Sequence, residues 1–204
     1  LGAVWNAVFP KNLLPLQLGY SSAGEVVKVG KNVSAYHVGD KVVSNGGHAE
    51  YVVVNENLCS RIDQNTDIKE ASFTVLGSIA LHGLRLSGTS LGSKVVVIGL
   101  GVIGQLVCRL AEAQGSEVIG IDTDSERTKN GDNFYTSIDE VELTNIDAVI
   151  ITAASSSNEP IEIATKIARN KAKIVVIGDI PLNISRNDFY YKELELVVSK
   201  SYGP

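Results

Sequence analysis

Three glycines at positions 99, 101 and 104, set between one apolar run and one amphipathic run, constrain this chain more than any other feature. Residues 95–98 form a short continuous apolar run, which reads as a strand buried on both faces. Residues 102–114 then repeat apolar positions at helical spacing, and a second apolar run over 117–121 closes on Asp122. Each part has a physical reason. Gly99 permits a tight turn, Gly101 lets the backbone approach a diphosphate, and Gly104 lets the helix pack closely on the strand. Leu100, Val102 and Ile103 complete the turn, where the helix N-terminus offers free N–H groups and a positive dipole end to phosphate. Asp122 stands eighteen residues past Gly104, in place to accept hydrogen bonds from a ribose hydroxyl. A lone glycine triplet says little. Strand, glycines, helix, strand and acid in this order predict a dinucleotide site.

Asp122 also bears on which dinucleotide. A carboxylate there repels a 2′-phosphate, and no basic residue follows until Arg127, so NAD is favoured over NADP. The bland reading of Asp122 is a solvated acid at a strand end. Asp124 reads as a helix cap, not as the second member of a carboxylate pair. Ligands of such sheets bind outside the carboxyl ends of the strands. Thr152, Ala153 and Ala154 are therefore expected to line the cofactor crevice, and Gly178 and Ile180 to border the nicotinamide.

The bulk numbers exclude several classes. With 204 residues, 44% hydrophobic and 20% charged, the chain has the composition of an ordinary globular protein of one large or two small domains. A net charge of −5 leaves no electrostatic footprint for nucleic acid or an anionic membrane. No apolar run approaches the roughly 18 residues that span a bilayer. Two cysteines, Cys59 and Cys108, make no disulfide framework and fit a reducing compartment, with the cytoplasm as the expected location. Leu1 in place of Met suggests that the true N-terminus lies upstream.

Residues 19–60 differ in texture from the rest. Valine-rich stretches at 24–32, 38–43 and 46–54, divided by Gly, Asn and Asp, predict a small antiparallel barrel or sandwich. Residues 67–88 read as helical, with Asp67 as cap and Glu70 three residues later. From Lys94 onward strands (95–99, 117–121, 147–152, 173–178, 194–199) alternate with helices (102–114, 160–170), which calls for a parallel sheet covered on both faces. Residues 88–93 form the expected hinge. The stretches 127–131 and 44–47 look too short for the connections they must make, as if segments had been lost there.

A valine-rich domain carrying Gly39-Asp40-Lys41-Val42 and Ala49-Glu50-Tyr51-Val52, followed by the glycine motif, resembles the medium-chain dehydrogenase/reductase family, from about Pro15 to Pro204. The resemblance implies a doubly wound parallel Rossmann sheet in α/β arrangement over 89–204, preceded by a partial GroES-like barrel domain over 1–88. The tail from Gly178 to Pro204 resembles the bi-domain oxidoreductase subgroup, in which a second oxidoreductase domain follows. In the zinc members of the family a Gly-His-Glu stands where this chain has Gly19-Tyr20-Ser21. The later cysteine ligand falls near Leu76 or Gly77, and no thiol is there. Neither the lobe that holds a structural zinc nor a convergent set of histidines is present, so no metal is expected.

The resemblance places Tyr20 in the vacated metal position, either as a hydroxyl that orients a carbonyl or as a ring that fills the space. His82 is either a proton shuttle or a satisfied structural histidine; His48 reads as structural. The function implied is an NAD-linked, zinc-free oxidoreductase moving a hydride between nicotinamide and a carbonyl, alcohol or activated alkene. The competing readings are a noncatalytic NAD-binding module of a larger polypeptide and a zinc-dependent alcohol or polyol dehydrogenase. The expected partners are a small-molecule substrate and a second copy of the chain, with no nucleic acid and no membrane.

Overall fold

The computed structural model describes residues 18–203, so Pro15 and Pro204, the ends of the resemblance, lie outside the described residues. The chain divides into two compact units, Leu1–Ser78 and Ile79–Pro204.

The first unit holds a three-stranded antiparallel sheet of β1 (Ser22–Glu25), β2 (Lys41–Ser44) and β3 (Cys59–Arg61), in that order. Ser22 stands opposite Ser44, and Val43 opposite Ser60. Backbone pairing continues one step past β1, where the Val26 N–H donates to Asp40 at 2.9 Å and the Gly39 N–H donates back to Val26 at 2.9 Å. The Asp40 carboxylate holds the turn by accepting the His37 N–H at 2.7 Å and Arg61 Nη2 at 2.8 Å. Those partners, the backbone N–H first, keep its pKa below the usual carboxylate range. Within the three strands only Val43 and Ser44 are buried. The strand expected at 46–54 does not form: residues 46–54 carry no regular structure, Tyr51 is 71% exposed and Val53 fully so. Period-two alternation marks a face that needs a surface to pack on, and among the described residues the short sheet buries little.

The helical stretch at 67–88 is two helices, α1 (Ile68–Ala71) and α2 (Thr74–Ser87). Asp67 caps α1 as expected, accepting the Lys69 N–H at 2.8 Å. The break follows from the side chains beside it. The Ser72 and Thr74 hydroxyls take the carbonyls of Lys69 and Ala71, competing with helical continuation.

The second unit is built on a parallel sheet of six strands in the order β6-β5-β4-β7-β8-β9. Its elements run β4 (Lys94–Ile98), α3 (Val102–Ala113), β5 (Glu117–Ile121), α4 (Ser125–Thr128), β6 (Phe134–Tyr135) and β7 (Ile146–Ile151). They continue with α5 (Glu159–Ile167), β8 (Ala168–Val176), α6 (Arg186–Lys192) and β9 (Glu195–Val198). Alternate strand residues face opposite sides. Val95, Val97, Ile150 and Val175 pack with Leu84 of α2 and Val107 of α3, whereas Val96, Val149 and Ile174 pack with Ile161 and Ala164 of α5. Helices thus cover both faces, as the doubly wound α/β expectation requires.

Two boundaries differ from the sequence reading. The helix expected to reach 170 ends at Ile167, because Lys192 Nζ takes the carbonyls of Thr165, Lys166 and Ala168 at 2.7, 2.9 and 2.9 Å. The chain then enters β8 early, with an irregular register between Ile146 and Ala148. The single turn of α4 ends at Thr128, turns over 129–133 complete the short connection, and β6 is only two residues long. Among the described residues no helix is long and apolar enough to cross a membrane.

Candidate dinucleotide site

The glycine turn leaves β4 with Gly99 at φ +97°, a conformation that side-chain-bearing residues rarely adopt. Gly104, in the first turn of α3, lies so close to that turn that a Cβ on it would stand 1.9 Å from the Gly99 carbonyl. The helix therefore packs on the strand only because position 104 has no side chain. At Gly101 the case is reversed, since a Cβ there would meet nothing within 4 Å. Open space lies over the turn at the point where a diphosphate is expected. The N–H groups of Val102, Ile103 and Gly104, in the first turn of α3, have no acceptor within the helix. Together with the helix dipole they form a cradle that fits an anion.

Asp122 is 8% exposed at the end of β5, and its carboxylate is heavily used by the protein itself. Oδ2 accepts the Leu100 N–H at 2.6 Å and Arg127 Nη1 at 3.2 Å, and Oδ1 accepts the Asp124 N–H at 2.9 Å. A carboxylate has about four acceptor positions, and among the described residues three are filled, leaving one on Oδ1. Two consequences were not visible in the sequence. The Leu100 amide is committed to Asp122, so the amides offered to phosphate come from further along the turn. Arg127, five residues on, is brought back onto Asp122 by the single turn of α4 and also reaches Asp124 at 3.4 Å. Asp124 itself caps α4, as expected, through the Glu126 N–H at 3.0 Å.

The loops leaving β7 and β8 border the same crevice. Thr152 Oγ1 donates to the Gly99 carbonyl, and the Thr152 and Ala153 N–H groups both donate to Ile98, at 2.8 and 3.0 Å. Ala154 is exposed, Gly178 lies against the Ala153 carbonyl, and Ile180 is half-buried at the edge of the core. The turn, the second acid and the two loops thus meet at the carboxyl ends of β4, β5, β7 and β8, where strand order reverses between β4 and β7.

Comparison with known proteins agrees with this geometry. Residues 3–64 match the alcohol dehydrogenase GroES-like domain, and residues 65–186 match the NAD-binding domain of D-isomer-specific 2-hydroxyacid dehydrogenases. The chain belongs to the medium-chain dehydrogenase/reductase family. Among curated relatives, (R,R)-butanediol dehydrogenase of Bacillus subtilis is 25% identical over 181 residues, covering 75% of this chain and 52% of that protein. D-Guloside 3-dehydrogenase of Escherichia coli is 36% identical over 115 residues, covering 54% of this chain and 33% of that protein. The crystal structure of galactitol-1-phosphate dehydrogenase from Escherichia coli superposes with a TM-score of 0.80 at 22% identity, over 93% of this chain and 68% of that one. This member of the family spans about half, or less, of the length of those curated relatives. Its second unit is an NAD(P)-binding Rossmann domain, and a GroES-like domain precedes it.

The catalytic candidates are less organised. Tyr20 belongs to the first unit and is 41% exposed, so its ring is not packed as an interior residue. His82 belongs to the second, half-buried on α2 with Gly203 against its imidazole. The potential metal donors are scattered. His37 approaches Arg61 Nη2 at 3.3 Å, and the His48 ring lies against Gly19. Cys59 is half-buried, and burial pushes the Cys108 thiol up to about 12. Among the described residues no group of three or more His, Cys, Asp or Glu side chains is placed to hold a metal. Residues 1–17 contain none of these four residue types.

Proposed function

We propose that this chain supplies the coenzyme site and part of the substrate side of an NAD-linked oxidoreductase that works without zinc on a carbonyl, an alcohol or an activated alkene. The observation that carries the reading is the open cradle at Gly101 beside a buried Asp122 that keeps one acceptor free. When bound, the nicotinamide supplies the hydride chemistry. The chain's own residues do the rest. The amides of 102–104 hold the diphosphate, and Asp122 orients the adenosine ribose. Thr152, Ala153, Ala154, Gly178 and Ile180 shape the crevice and exclude water. Tyr20, in the first unit, and His82, in the second, are the candidates for orienting a substrate oxygen and for relaying a proton, against the readings of a space-filling ring and a structural histidine.

Two finer points belong to the proposal. NAD is preferred to NADP because a 2′-phosphate would face the Asp122 carboxylate, although Arg127 beside it softens that repulsion. The zinc-free part is supported by the donor set, since Tyr20-Ser21 and Leu76-Gly77 place no imidazole or thiol where zinc members of the family ligate metal. We also assign the chain to a homodimer and to the cytoplasm. Among the described residues the outer edge of β9 has no strand partner; Val198 at its end and Tyr190 and Tyr191 in α6 are exposed, and both cysteines are free thiols. Light scattering is expected to give twice the mass of one chain.

The test is steady-state NADH oxidation with a panel of aldehydes, ketones, quinones and enones, run with and without a chelator. The expected result is turnover that survives chelation, with NADH preferred over NADPH. Turnover abolished by the chelator and restored by zinc would establish the zinc-dependent polyol or alcohol dehydrogenase instead. Coenzyme binding with no turnover on any substrate would favour the noncatalytic module.

A further inference from the structure

Asn158 stands at the N-cap of α5 but does not cap it. Asparagine is favoured at that position because its side-chain oxygen takes a free N–H of the first turn, yet here it makes no such bond. The neighbouring Ser157 does this work, accepting the Glu159 N–H at 3.0 Å. The Asn158 amide reaches instead to the loop that follows β8. Its Oδ1 accepts the Asn183 N–H at 3.1 Å, and its Nδ2 donates to the Asn183 carbonyl at 3.0 Å. That two-point pairing is what a neighbouring strand residue would offer, supplied by a side chain. Nδ2 also donates to Glu162 Oε1 at 3.2 Å, so the partners on all sides agree on which end of the amide is nitrogen.

The bridged loops are those leaving the carboxyl ends of β7 and β8. They also meet where the Ser155 N–H donates to Asp179 at 3.0 Å, and at Gly178, where a Cβ would lie 1.9 Å from the Ala153 carbonyl. Ala153 in turn packs against Gly99, whose Cβ would stand 2.5 Å from its nitrogen. A continuous rim therefore runs from the glycine turn through 152–158 to 178–183. Apolar packing contributes little at its far end, for Leu182 and Ile184 on either side of Asn183 are 42% and 44% exposed. The Asn158 pair is what ties that end down.

We propose that Asn158 is a positioning residue for the nicotinamide end of the coenzyme. It holds residues 179–183 against the rim in the free protein, so the loop need not be ordered when the coenzyme binds. The inference rests on the dinucleotide reading given above, and it separates the two halves of the ligand. The adenosine half meets the glycine turn and Asp122, which Asn158 does not touch; the nicotinamide half meets the loops that Asn158 joins.

Titration of AMP and of NADH into the intact wild-type chain, Asn158→Ala and Asn158→Asp tests this. Asn158→Ala is expected to weaken NADH about tenfold while AMP stays within about twofold. Asn158→Asp keeps the acceptor for the Asn183 N–H but sets a carboxylate oxygen against the Asn183 carbonyl and the Glu162 carboxylate, so its NADH loss is expected to be at least as large, about tenfold or more. NADH affinity unchanged in Asn158→Ala, or equal losses for AMP and NADH, would overturn the proposal. Wild-type chain that binds neither ligand would overturn the dinucleotide reading first and this inference with it, and that outcome is visible without any variant.

Discussion

The two units of this chain treat similar residues in opposite ways. Both are rich in valine, but in the second unit Val95, Val96, Val97, Val149 and Val175 are fully enclosed, whereas in the first Val27, Val38 and Val53 stand exposed. Among the described residues of the first unit only Val43 and Ala71 are buried hydrophobics. The difference lies in what each sheet has to pack against. Six parallel strands with helices on both faces bury both sets of alternating side chains. Three short antiparallel strands bury few. The glycine turn, Asp122 and the crevice loops are carried by the enclosed sheet, and Tyr20, in the first unit, lies just ahead of the sparse one.

The strongest attack on this contrast is a pair of matched truncations. Ile150, fully enclosed in β7, is expected to cost about 3–4 kcal/mol as Ile150→Ala in chemical denaturation. Val53→Ala should fall within about 0.5 kcal/mol of wild type. Equal costs would erase the distinction. A pair of glycines sharpens it at the site. Gly104→Ala forces a Cβ to within 1.9 Å of the Gly99 carbonyl and is expected to destabilise by about 1–3 kcal/mol, with NADH binding lost. Gly24→Ala in β1 meets nothing within 4 Å, and should leave both quantities unchanged.

Acid provides a gentler comparison. Burial alone would raise the pKa of Asp147, but the Lys94 N–H at 2.8 Å and Arg169 Nε at 2.7 Å more than offset it, and the net shift is downward. A carboxyl whose folded pKa lies below its unfolded value of about 3.9 contributes stability above that value, and loses it as pH falls through the folded pKa. Asp147→Asn should therefore lower stability at neutral pH and flatten the loss seen on acidification below about pH 4. Asp40→Asn should act with the same sign in the first unit and more weakly, because its carboxylate sits on an exposed turn. A larger effect at Asp40 than at Asp147 would reverse the ranking of the units. The smallest expected difference concerns the thiols. Burial raises both, but Cys108 is enclosed on the buried face of α3 and pushed up to about 12, whereas Cys59 is half-buried. One thiol should react with a disulfide reagent in the native protein and the second only after unfolding. Two fast thiols would show that the second unit opens readily.

What could be read from the sequence was local. The strands β4, β5, β7, β8 and β9 announce themselves as apolar runs, and Gly99, Gly101 and Gly104 as a turn between strand and helix. Features that depend on residues far apart were hidden. The end of α5 is set by Lys192, more than twenty positions later. The helix α6 carries no apolar stripe in Arg186–Lys192 that periodicity could detect. Asp122 was legible as an acid at a strand end, but not its bond back to Leu100, and Arg127 looked too distant until α4 returned it. Asn158 is the converse case: an asparagine ahead of a helix ordinarily caps it, whereas the fold turns its amide toward Asn183.

Calorimetric titration of the intact chain with NADH tests the central claim most directly. Saturable binding with one coenzyme per chain, tighter than NADPH and lost in Gly104→Ala, is the outcome these contacts predict. A folded wild-type chain that gives no heat with either coenzyme would contradict the account.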